Sequence, residues 1–166
     1  MSAHITIGCD NGVTGSLSIL GPDGAIFETM PTMRVNEGRE GKMITRIDHK
    51  ELAALLRLHI PVMARAHAYV EKPFTGSPMM INTSLLAARS YEAVIIVLEQ
   101  LGIGYHRITS GDWQKPVLGA VKGRENLKAA SLSRGIQYYP QLAAAIKAHG
   151  DADGLLIAHH YHHNPA

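Results

Sequence analysis

The chain has 166 residues, 46% hydrophobic and 18% charged, with a net charge of +2; this suits one domain, read here as 1–166, with a sizeable core. The near-neutral balance excludes a strongly basic binder, so any nucleic-acid surface has to come from local arrangement of charge. One cysteine, Cys9, leaves no internal disulfide; there is no signal-peptide pattern and no apolar run near the roughly 20 residues of a membrane span, so a cytoplasmic protein with no membrane partner is expected.

In chain order, HITIGCDNGVTGSLSIL reads as strand, Gly-rich turn and strand, and AIFETMP adds a third alternation, giving an antiparallel meander over 4–31. RVNEGREGK, residues 34–42, has no apolar periodicity and is expected to be a loop. DHKELAALLRLH opens with an aspartate cap and sets Leu52, Leu55, Leu56 and His59 on one helical face. AHAYVEKPF is a strand stopped by Pro73. NTSLLAARSYEAVIIVLEQLGI is a long helix, with Asn82 or Thr83 as cap and Gly102 as stop. Its apolar residues lie on several faces, so one side should pack on the sheet and another is free for a partner subunit or the last helices. YHRIT reads as a short strand and SGDWQKPVLG as a turn and short helix in which Trp113 anchors to the core. RENLKAASLSRG is a helix ended by Gly135, and DADGLLIAHHYHH is the last helix. The order βββαβαβ followed by helices predicts an α/β fold with a mixed sheet, antiparallel in its first three strands and parallel beyond them.

Three acids stand at the ends of these elements. Asp10 interrupts the first strand, where aspartate is a poor strand former and costly to bury unpaired. Strand alternation puts it on the face opposite Cys9. Glu71 emerges at the carboxyl end of AHAYV, where open α/β sheets bind ligands. Asp153 lies at the start of the last helix. Each has a plain explanation on its own: a turn after Asp10, a surface pair of Glu71 with Lys72 or Arg89, a favourable helix dipole at Asp153. Together they fit one shared carboxylate site. Such a site suits Mg²⁺ or Mn²⁺, and two such ions side by side support hydrolysis of a phosphodiester.

The ordered set resembles the RuvC-type Holliday-junction resolvases of the RNase H-like superfamily. IGCDNGVTGSLSIL resembles that family's first strand, hairpin glycines and metal-binding aspartate, VEKPF its glutamate-bearing strand, and DADGLLIAHH its final helix. DWQKPVLG and the short length are similar to phage-type members. The resemblance implies a five-stranded RNase H-like sheet flanked by helices and a homodimer. It also implies cleavage of four-way or branched DNA by two symmetric nicks. It carries metal-ligand and catalytic roles onto Asp10, Glu71 and Asp153, and makes Phe74 a wedge at the junction centre.

The family's metal-binding or proton-handling residue three places before the last aspartate is Gly150 here, so Asp151 takes that role as a metal ligand, with His149 as second choice. Asp151 as N-cap would have non-helical dihedrals and still reach a metal. His149 is suited to proton handling near neutral pH. Lys115, Lys122, Arg124 and Lys128 form the basic stretch expected to touch DNA phosphates, with Lys115, ahead of Lys122, as the catalytic lysine. HHYHH lacks a second ligand pair at zinc spacing and reads as a solvated helix end. Other activities that the pattern admits are cleavage of other branched DNA or of RNA–DNA hybrids. DNGVTGS also resembles the phosphate loop of actin- and Hsp70-like ATPases, although those need a second such domain.

Overall fold

The computed structural model describes residues 4–36, 41, 43–73 and 81–165, with backbone alone at 81 and 82. Strands β1 (His4–Cys9), β2 (Ser16–Gly21) and β3 (Gly24–Thr29) form the expected meander. β6 (Arg65–Glu71) runs parallel to β1, and β7 (Gly104–Ile108) runs parallel to β6. The sheet order is β3-β2-β1-β6-β7. The fold class is therefore the α/β mixed five-stranded sheet predicted from the element order.

Alternation along β1 sorts its side chains between two cores. Ile5, Ile7 and Cys9 face one core with Ala68 and Val70 of β6. Helices α1 (His49–His59) and α2 (Ile81–Gln100) close that side through Leu52, Leu56, Val94 and Leu98. Asp48 caps α1, accepting hydrogen bonds from the backbone N–H groups of Lys50 and Glu51. At the far end of α2, Ile103 N–H bonds Leu98 and Gly102 N–H bonds Glu99, the paired bonds of a Schellman stop.

The other face is covered by α3 (Ser110–Leu118), α4 (Arg124–Tyr138), α5 (Ala143–His149) and α6 (Asp153–His163). Trp113, Ile146, Leu155 and Ile157 pack there against Leu20, Phe27 and Tyr69. Close contact between α6 and the sheet depends on glycine at two positions. A Cβ on Gly8 would lie 2.1 Å from the Gly154 carbonyl oxygen, and one on Gly154 would lie 2.6 Å from the Ser16 carbonyl oxygen. The missing side chains let the helix settle onto β1 and β2, with its first turn beside the end of β1.

Several expectations need correction. Residues 34–36 belong to β4 (Thr32–Asn36), which pairs with β5 (Met43–Ile47) in a separate two-stranded sheet. Met33, Val35 and Ile44 of this ladder are half-buried and Ile47 is buried, and the apolar alternation on β4 spans only two residues. α4 runs through Gly135 to Tyr138, because a Cβ at 135 would meet the Ala152 Cβ at 2.3 Å and the glycine serves packing rather than termination. Residues 140–149 form a 3₁₀ turn and α5, which the sequence reading left unassigned. Asn82 and Thr83 lie inside α2 and do not cap it. The C-terminal histidines are packed as well as solvated: His159 stacks on Tyr138 and its Nδ1 lies 2.9 Å from the Tyr139 hydroxyl.

Candidate active site

The site is built where the carboxyl ends of β1 and β6 meet the first turn of α6. The last paired residues of the two parallel strands are Cys9 and Val70, so Asp10 and Glu71 follow side by side. Their parity turns both toward the α6 face, while Cys9 is fully buried in the opposite core. Asp153 opens α6, and Asp151 precedes it. One carboxylate oxygen from each of Asp10, Asp151 and Asp153 lies within 4.8 Å of the others.

Neutral hydrogen bonds hold this corner together. Ser16 Oγ accepts from Gly154 N–H at 3.1 Å, tying α6 to β2. Ser131 Oγ accepts from Ala152 N–H at 3.0 Å and donates to Asp153 Oδ1. The Trp113 indole N–H donates to Glu71 Oε2 at 2.8 Å. The N-cap of α6 is Ala152, which corrects the expectation that Asp151 caps it; Asp151 stands one residue outside. It is nevertheless buried and beside Asp10 and Asp153.

Electrostatics divide the four acids. Burial, then the charges of Asp153, Glu71 and Asp151, push Asp10 well above the ordinary aspartate range, with Lys128 offsetting part of the rise. Burial raises Glu71 to about 7 against the pull of the Trp113 bond, and Asp153 adds to the rise. Burial also raises Asp153 to about 6 despite the Ser131 bond, and Asp151 adds to it. Asp151 differs. Burial works to raise it, yet His149, the Asp153 backbone N–H and Lys128 together hold it below its usual value. His149 Nε2 lies 3.3 Å from Asp151 Oδ1, and Lys128 Nζ lies 3.6 Å from Oδ2.

The donor set fits a hard divalent cation. It is all carboxyl oxygen, and in three of its members the surrounding protein disfavours the ionised form, which a bound cation would stabilise. His149 and Asp151, alternatives for one role in the sequence, are found in contact with each other. Lys115, Lys122 and Arg124 lie exposed around the α3–α4 corner. Among the described residues, Lys128 is in ion-pair reach of the acids and Lys115 is not. Phe74 lies outside the described residues. An apolar recess of about 260 Å³, lined by Leu56, Ile60, Pro61, Ala64, Leu101 and Ile103, sits at the other end of the sheet and holds no acid.

Solved structures similar to this chain include two of RuvC. One is the RuvC of Thermus thermophilus in complex with a Holliday junction substrate, at 14% identity and a TM-score of 0.54, covering 98% of this chain and 96% of that one. The fold is RuvC-like. The second, also described as a Thermus thermophilus RuvC structure, has 14% identity and a TM-score of 0.52 and covers 96% of each chain. No protein-family model and no curated protein matches the sequence. At this identity the likeness speaks for the fold, which is RNase H-like, and the chemistry has to be argued from the site.

Sequence reasoning missed Ser131, Ser16 and the hydrogen-bonding role of Trp113. Nothing in the pattern links Ser131 to an acid 22 residues later. The one available hint is helical spacing, since Lys128 and Ser131 are three apart and share a face of α4.

Proposed function

We propose that the chain is a metal-dependent, structure-selective DNA endonuclease that resolves Holliday junctions by paired symmetric nicks. The observation that carries this reading is the convergence of Asp10, Asp151 and Asp153, with Glu71 alongside, on a RuvC-like fold. The coverage of nearly the whole chain by a junction-bound RuvC makes branched DNA the favoured substrate.

Asp10, Glu71, Asp151 and Asp153 would hold Mg²⁺ or Mn²⁺, two ions per site. When bound, such ions activate water for attack on a phosphodiester and stabilise the leaving oxygen. The protein's own residues do the rest. The strand ends and the α6 turn hold the carboxylates in place before substrate arrives. Asp151 keeps His149 at the site, where an imidazole can accept or return a proton. Lys128 adds positive charge at the edge of the acids, toward which a phosphate is drawn. Lys115, Lys122 and Arg124 would hold the DNA backbone, and Phe74 would act as the junction wedge.

Two symmetric nicks require two such sites, so the active form is proposed to be a homodimer. Leu85, Leu86 and Ile96 stand exposed on α2 and provide an apolar face for it. The DWQKPVLG stretch, residues 112–119, is what supports a phage-type member of the group.

The test is incubation with a synthetic four-way junction in Mg²⁺ and in EDTA. Paired nicks are expected in Mg²⁺, with none in EDTA or from Asp10→Asn. Cleavage absent with every divalent ion refutes the reading. Faster cleavage of a forked duplex or an RNA–DNA hybrid than of the junction moves the assignment to those substrates.

A further inference from the structure

Two of the four acids are gripped by neutral donors. Trp113 donates its indole N–H to Glu71 Oε2, and Ser131 donates its hydroxyl proton to Asp153 Oδ1. Both donors are sealed from solvent, Trp113 at 0% exposure and Ser131 at 1%. Each takes one carboxylate oxygen. Among the described residues neither Glu71 Oε1 nor Asp153 Oδ2 has a hydrogen-bond partner.

Asp151 provides the contrast, because besides the Asp153 backbone N–H it meets the Lys128 ammonium and the His149 imidazole. A cationic partner fixes a carboxylate but also cancels the field that attracts a metal ion. A neutral N–H or O–H fixes it and leaves its full charge. Packing alone does not require this arrangement. Tethering the α6 cap needs only the bond from Ala152 N–H to Ser131 Oγ. The hydroxyl's single proton is nevertheless spent on Asp153.

We infer that Trp113 and Ser131 are positioning residues that set Glu71 and Asp153 for a divalent cation, each turning a fixed oxygen toward it without neutralising the carboxylate. This rests on the metal site proposed above. The two donors reach the acids from different helices, α3 and α4, so the metal site and the helical layer over the sheet are built as one unit.

The test is Mn²⁺ binding by calorimetry, without DNA, to the full chain and to Ser131→Ala, Ser131→Thr, Trp113→Phe and Val117→Ala. Val117 lies in the same core as Trp113, 8% exposed, and serves as a packing control. Losing an outer partner of a metal ligand weakens affinity by roughly 10- to 100-fold, which is the expected result for Ser131→Ala and Trp113→Phe. Ser131→Thr keeps the hydroxyl and should bind within a few-fold of wild type. Val117→Ala should melt earlier in EDTA yet bind Mn²⁺ normally. Wild-type affinity in Ser131→Ala and Trp113→Phe overturns the inference, as does an equal loss in Val117→Ala. If Trp113→Phe fails to fold, the comparison of Ser131→Ala with Ser131→Thr decides the matter. A wild-type chain that binds no Mn²⁺ overturns the metal site itself, and this inference with it.

Discussion

Replacing Glu71 with glutamine should stabilise the metal-free protein at alkaline pH. The Glu71 carboxyl is held at about 7 against an ordinary 4.5, chiefly by burial. A raised acid pKa means that the fold disfavours the charged form. Below about pH 4.5 the group is protonated in folded and unfolded chains alike and contributes nothing. Between 4.5 and 7 the unfolded chain ionises first, so stability falls as pH rises, and above 7 the loss is complete. At about 1.4 kcal/mol per pH unit, the full penalty is on the order of 3 kcal/mol. Glutamine keeps an oxygen to accept the Trp113 N–H and removes the charge. Glu71→Gln should therefore melt roughly 6–12 °C higher than wild type at pH 8 in EDTA, given about 2–4 °C per kcal/mol for a chain of this size. The two should coincide at pH 4. Adding Mg²⁺ should reverse the order, because only wild type keeps the full carboxylate set. The assay is thermal unfolding by circular dichroism across pH, with and without Mg²⁺. A lower or unchanged melting temperature for Glu71→Gln at pH 8 in EDTA refutes the claim that Glu71 carries uncompensated buried charge.

Gly154→Ala should be severely destabilising, since its Cβ would lie 2.6 Å from the Ser16 carbonyl and force α6 off the sheet. Overpacking of this kind costs about 1–3 kcal/mol or more, readable by denaturant titration, and Mn²⁺ affinity should fall with it. Unchanged stability would show that α6 is free to shift. Lys128→Ala should slow single-turnover cleavage more than it weakens junction binding. Lys115→Ala should chiefly weaken binding and flatten its salt dependence. The reverse pattern would return the catalytic lysine to position 115.

The acids were legible because each stands at the end of a regular element: Asp10 follows an apolar strand, Glu71 closes another, and Asp153 opens a helix. Strand parity alone separated Asp10 from Cys9, and the structure puts them on opposite faces. The β4–β5 ladder was missed because its apolar stripe is short: Met33 and Val35 alternate within a five-residue strand and are only half-buried. Gly135 was misread for a related reason: a helix stop and a helix crossing both call for glycine, and only the position of Ala152 tells them apart.

The sequence by itself determined the α/β class, the five strands of the main sheet in their order, and the acids that stand close together. These follow from periodicity and from the cost of placing a carboxylate in a regular element, both of which are local. The tertiary structure decided what those acids touch. Ser131, Trp113 and Lys128 come to them from α3 and α4. His149 and Asp151 became a pair because α5 ends in a left-handed turn at Gly150 immediately before α6. Hydrogen bonds between side chains distant in sequence are set by how helices pack on a sheet, and residue type and spacing along the chain do not encode that packing.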